Sequence, residues 1–143
     1  MRVWPWLLLI LVNVYLYLNT REPEKVKKVR EKYTTLREAL VRESKFPELH
    51  EPMPLTAYYR TWDGALGYNV NKGFELGLCI DGEVNEVFHI LLHELAHCTV
   101  REYDHSEAYW KNYIELRDLA VSLGIYEKIP EKTPFCGKEV QDK

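Results

Sequence analysis

Hydrophobic and polar positions divide the 143-residue chain into three stretches with different periods. Residues 3–18 (VWPWLLLILVNVYLYL) carry no charge, and Asn13 is the one clearly polar side chain among them. A run that is apolar on every side has no face to turn to water, so it is expected to enter a membrane rather than cover a core. Sixteen helical residues reach about 24 Å, short of a hydrocarbon layer of about 30 Å, which implies local thinning or help from flanking residues. The run closes on Tyr15, Leu16, Tyr17, Leu18 and Asn19 rather than on the small residues a signal peptidase needs, favouring a retained anchor. Trp4, Trp6, Tyr15 and Tyr17 lie near its ends, where amphipathic rings prefer the interface. Behind it follow Arg21, Lys25, Lys27, Lys28, Arg30 and Lys32, against Arg2 in front, so the positive-inside rule predicts a single-pass protein with its folded part on the cytoplasmic side.

The second stretch, residues 24–44, is charged and helix-prone, with apolar positions at Val26, Val29, Tyr33, Leu36 and Leu40. Steps of three and four define a narrow seam, expected to pack on the chain's own domain or to pair with a second copy. Its basic residues also suit anionic head groups. Pro47, Pro52 and Pro54 then break the period. In the third stretch, GALGYNVNKGFELGLCI reads as two short strands around an Asn-Lys-Gly turn, ended by Asp81-Gly82. Val84, Val87, Phe88, Leu91, Leu92 and Leu95 give a helical apolar face from residue 84 to 98. Another helix is expected from an N-cap at Ser106 to about Leu123, stopped by Gly124, and Pro130 and Pro134 mark an irregular tail. The predicted organisation is an anchor over residues 1–20, a juxtamembrane helix over 21–46 and one compact domain over 47–143.

Charge and cysteines narrow the function classes. A net charge of −3 and a pI near 6.0 give no basic face for nucleic acid, and no nucleic-acid-binding module is evident. Cys79, Cys98 and Cys136 form no CxxC pair; free thiols in a reducing compartment are the simpler expectation, with one pairing left open.

The chemistry lies in His93-Glu94-Leu95-Ala96-His97, an HExxH motif within a predicted helix. Residues four apart project from one helix face, so His93 and His97 can hold one zinc ion through their imidazoles. Glu94 is rotated beside that pair, where it can act as base toward a water that zinc acidifies to a pKa of about 7. A catalytic zinc takes three protein ligands and keeps an open position. His105, eight residues after His97, is the first choice for the third; Glu102, Asp104 and Glu115 are the alternatives. His89, one turn before His93, reads as a core or supporting histidine, and His50 stands apart.

HELAHCTVREYDHSEAYW resembles the catalytic segment of the WLM metallopeptidases, relatives of the SprT-like proteases. Together with GALGYNVNKGFELGLCI and a terminal Cys-Gly, the pattern is similar to small WLM-like proteins of large DNA viruses. The resemblance covers residues 65–137 and implies an α+β, zincin-like fold, a small mixed sheet packed on the HExxH helix. It implies zinc on His93, His97 and His105, Glu94 as base, and Tyr109 and Trp110 packed beneath the site. One departure stands out: seven residues separate His97 from His105, where the commoner pattern has about five. The edge strand before the helix lines the cleft in such folds, which nominates residues 74–80 to pair with a peptide substrate. Tyr103 and Tyr113 are candidate oxyanion donors. The expected activity is peptide-bond hydrolysis. A non-catalytic membrane protein with a structural zinc, its fourth position closed by Cys98 or Glu115, and a hydrolase of non-peptide bonds are the competing readings.

Overall fold

The computed structural model describes residues 2–60 and 62–143. Its elements are helices α1 (Trp4–Thr20), α2 (Glu24–Arg42), α3 (Val84–Cys98) and α4 (Glu107–Ser122), and strands β1 (Leu55–Tyr58), β2 (Gly67–Val70), β3 (Glu75–Cys79), β4 (Thr133–Phe135) and β5 (Lys138–Val140). The architecture is therefore mixed, four helices with two small sheets among the described residues.

Alternation in residues 65–80 produces the β2–β3 hairpin, and its turn needs left-handed backbone at Asn71, Lys72 and Gly73. β3 runs centrally in the order β1-β3-β2, parallel to β1 and antiparallel to β2. The cleft candidate of residues 74–80 is thus corrected: β3 has both edges paired, and β2 is the strand with a free edge next to α3. β1 lies just after the prolines at 47, 52 and 54, in a stretch whose composition hid it.

α3 is the central element of the core. Val87, Phe88, Leu91, Leu92 and Leu95 are fully buried, against the sheet on one side and α2 and α4 on the others. Burying a side chain of this size stabilises by about 1.5–3 kcal/mol, and α3 buries more residues than any other helix described. The α2 seam of Val26, Val29, Tyr33, Leu36 and Leu40 is buried in this same core.

α1 has no buried residue. No helix among the described residues is long and apolar enough to cross a membrane, which overturns the expected N-terminal transmembrane anchor and the single-pass location with a cytoplasmic catalytic domain. The physical reason is length: 17 residues span about 26 Å. The last turn is polar, with Asn19 and Thr20 hydrogen-bonding back to Tyr15 and Leu16 carbonyls.

Two further expectations are corrected. Cys79 at the end of β3 and Cys136 in the β4–β5 turn form a buried disulfide across 57 residues, Cα atoms 6.5 Å apart, so free thiols in a reducing compartment do not describe them; Cys98 alone is a free, buried thiol. The tail is not irregular but folds into the β4–β5 hairpin, fastened by that bond.

Candidate metal centre

α3 carries His93, Glu94 and His97 in its last two turns, and the chain then leaves the helix at Thr99. Residues 99–105 curl back, and the Ser106 side chain caps α4 by accepting from the Tyr109 N–H at 3.2 Å. This return brings the His105 Nε2 to 3.2 Å from both the His93 and His97 Nε2 atoms. One ligand atom from each of the three lies within 4.8 Å of the others, the one such cluster among the described residues.

The donor set fits zinc. Four-coordinate zinc with Zn–N near 2.0–2.1 Å places neighbouring nitrogens about 3.3 Å apart. Hydrogen bonding alone accounts for the contacts poorly, because His105 Nε2 has one hydrogen at most to offer two nitrogens. Burial first, then the neighbouring His97, His105 and His89, lowers the His93 pKa to about 3, leaving its lone pair available at neutral pH. His97 is lowered in the same sense by burial, His105 and Lys72.

Tyr109 supports all three rings. Its hydroxyl donates to the His93 carbonyl at 3.0 Å, and its ring lies 4.5–5.5 Å from the three imidazoles. Trp110 packs against His105 at 5.6 Å.

Glu94 is 7% exposed and is no member of the histidine cluster; burial raises its pKa to about 7. Gly67 of β2 passes so close that a Cβ there would lie 3.1 Å from Glu94 Oε1 and 2.6 Å from Ile90. Gly67 and Glu94 both border two openings. One of about 340 Å³ is lined by His89, Ile90, His93, Trp110 and Val140; one of about 210 Å³ is lined by Tyr68, Asn69, Lys72, His97 and Tyr103. His93, His97 and the carboxylate thus border openings that are also lined by residues of β2.

The alternative ligands lie elsewhere. The Cys98 thiol is buried against Asn69 and Met53, and Glu115 pairs with Lys45 at 3.1 Å. Neither Glu102 nor Asp104 belongs to the cluster. His50 bonds the Lys45 carbonyl at 2.7 Å. Tyr113 is corrected as an oxyanion donor: it is buried, and its hydroxyl donates to Asp142 at 2.5 Å. Tyr103 is exposed beside the smaller opening.

Sequence reasoning missed the group behind His89. Asp142 accepts from the Tyr113 and Tyr126 hydroxyls, each at 2.5 Å, and from the Ile129 N–H at 2.8 Å. Burial pushes its carboxyl upward, but bonds from His89, Ile129, Tyr113 and Tyr126 together hold it well below the usual carboxylate range. Both tyrosines direct their one hydrogen to Asp142, so the His89 Nδ1, 3.0 and 3.1 Å from their oxygens, must carry the proton. His89 also belongs to the wall of the larger opening.

These features define the class of site, a cluster of three histidines able to hold a metal ion, on an HExxH helix beside a buried carboxylate. Among known proteins, the chain is 32% identical over 99 residues to a protein of Acanthamoeba polyphaga mimivirus described as uncharacterized protein R325, a match spanning 62% of this chain. The chain spans about half the length of that relative. No family model and no solved structure matches it.

Proposed function

We propose that this chain is a zinc-dependent metallopeptidase of zincin type, similar to the WLM and SprT-like enzymes, that hydrolyses peptide bonds with Glu94 as base. The observation that carries the reading is the convergence of His105 on His93 and His97, 3.2 Å from each, beside a buried carboxylate and near the unpaired edge of β2.

Zinc held by these imidazoles would supply a Lewis acid that polarises a carbonyl and lowers the pKa of water toward about 7. The chain's own groups do the rest. An extended peptide adds to the free edge of β2 by backbone hydrogen bonds, which sets its carbonyl in register with the histidines. Glu94, poised near neutrality, accepts a proton from the attacking water and returns it to the departing amine nitrogen. Gly67 lets the strand approach this carboxylate closely enough for both steps.

Glu94→Gln is expected to keep stoichiometric zinc and the fold while lowering kcat by about 10²–10⁴-fold. His97→Ala is expected to lose the metal. Zinc analysis and cleavage of a mixed peptide library by the purified chain read both. Undiminished cleavage by Glu94→Gln removes the mechanism, and a wild-type protein that holds zinc but cuts no peptide removes the activity.

A further inference from the structure

We infer that Lys72, on the β2–β3 turn, is a positioning residue for the metal centre: its ammonium fastens the return loop that delivers His105. Nζ lies 2.9 Å from the His97 carbonyl, 2.6 Å from that of Val100 and 2.7 Å from that of Glu102. An ammonium has three hydrogens, and these contacts use all of them. The Tyr103 ring covers the same nitrogen at 4.4 Å. One side chain thus holds the end of the ligand helix and two points of the loop, the last of them three residues before His105.

Three physical reasons make this more than a surface contact. Carbonyls in the last turn of a helix lack intrahelical partners and carry the negative end of its dipole, so a cation there is favourable. The loop is seven residues long, and a longer return is costlier to order, so it needs an anchor if His105 is to meet His93 and His97. Lys72 itself sits at φ +51°, a conformation that a non-glycine residue adopts at a cost and that persists where surrounding bonds enforce it. The turn is in turn tied to α3, since the Asn69 amide donates to the Glu94 carbonyl at 3.0 Å and its oxygen accepts from the Gly73 N–H at 2.8 Å. The hairpin that carries the free edge of β2 therefore also sets the third ligand.

The inference rests on the metal-centre reading but not on hydrolysis. Its test is zinc affinity, measured on the full chain by competition with a chromophoric chelator, together with the visible spectrum of the cobalt(II)-loaded protein. Lys72→Met is expected to weaken zinc about 10- to 100-fold, the usual cost of losing a group that orients a ligand. Its cobalt bands should lose intensity, as they do when a four-coordinate site opens. Combined with His105→Ala, the same substitution is expected to cost less than about threefold, because a residue acting through His105 has nothing left to position. Lys72→Gln, with one donor pair and no charge, is expected to fall between Lys72→Met and wild type, and carries the test should Lys72→Met fail to fold. Wild-type affinity and spectrum in Lys72→Gln or folded Lys72→Met, or an undiminished effect in the His105→Ala background, overturns the inference. A wild-type chain that takes up no zinc overturns it together with the metal centre, whereas a zinc-loaded chain without peptidase activity leaves it standing.

Discussion

Asp142→Asn should destabilise the chain at neutral pH and progressively less in acid. The side chain at 142 is 5% exposed and accepts from two tyrosine hydroxyls and one backbone N–H, with the His89 Nδ1 3.5 Å away. An amide keeps the shape but exchanges one acceptor for a donor. Placed at Oδ2 it opposes the Ile129 N–H; placed at Oδ1 it opposes the His89 Nδ1–H. Either way at least one charge-assisted bond is lost, about 1.5–3 kcal/mol, and one buried donor is left badly satisfied. The expected loss is about 2–4 kcal/mol, a fall in Tm of roughly 6–12 °C for a chain of this size. The pH dependence has a definite sign. Asp142 is held below its unfolded pKa of about 3.9, so its contribution is fully present above that value and drains away as pH falls toward the lower folded pKa. Urea melts of both proteins, run with chelator present so that metal linkage does not enter, should show a constant gap from pH 7 to about 5 that begins to narrow below about pH 4 and goes on narrowing toward the lower folded pKa. A gap under about 0.5 kcal/mol at pH 7, or one that persists unchanged at pH 3, refutes the assignment of an ionised, fully engaged Asp142.

Gly67→Ala would press a methyl into Ile90 and the Glu94 carboxylate; a stability loss of about 1–3 kcal/mol is expected, with turnover falling further than stability explains while zinc affinity holds. Peptide cleavage and zinc titration on the same preparation check this, and full turnover would show that β2 yields at this point. Cys79→Ser removes a bond that spans 57 residues, for which loop-closure entropy gives about 4 kcal/mol. Reductant should lower the Tm of the wild type and not of the variant; equal responses would mean the bond is absent in solution.

What the sequence made legible was local. α3 spans Val84–Cys98, the bounds its apolar period indicates, and α4 begins behind the Ser106 cap, because a helix records itself in spacings of three and four. The histidine pair was legible for the same reason, and the β2–β3 hairpin through its alternation and Asn-Lys-Gly turn. Whatever depends on residues far apart was not. β1 pairs with β3 across about twenty positions, and the proline-rich stretch before it gives no alternation long enough to notice. The disulfide joins cysteines 57 apart, and Asp142 meets His89 across 53 positions in a tail that reads as irregular. The anchor fails for a different cause: residues 3–18 are apolar enough for a membrane and their shortfall in length is visible in the sequence, but the flanking residues expected to make it up add only one residue to the helix, which closes in a polar turn at Asn19 and Thr20.

The same contrast operates inside the candidate metal centre. His93 and His97 are fixed by a helix whose opposite face is wholly buried, so their relative placement follows from helical geometry and survives most changes outside the core. His105 has no such guarantee, since it ends a loop and is exposed. Its position follows from contacts made by other elements: Tyr109 and Trp110 beneath the ring, and Lys72 on the loop behind it. A site built this way loses its third ligand before its first two. Substitutions in α3 should therefore damage fold and metal binding together, whereas substitutions in the β2–β3 turn should loosen the metal in a chain that remains folded.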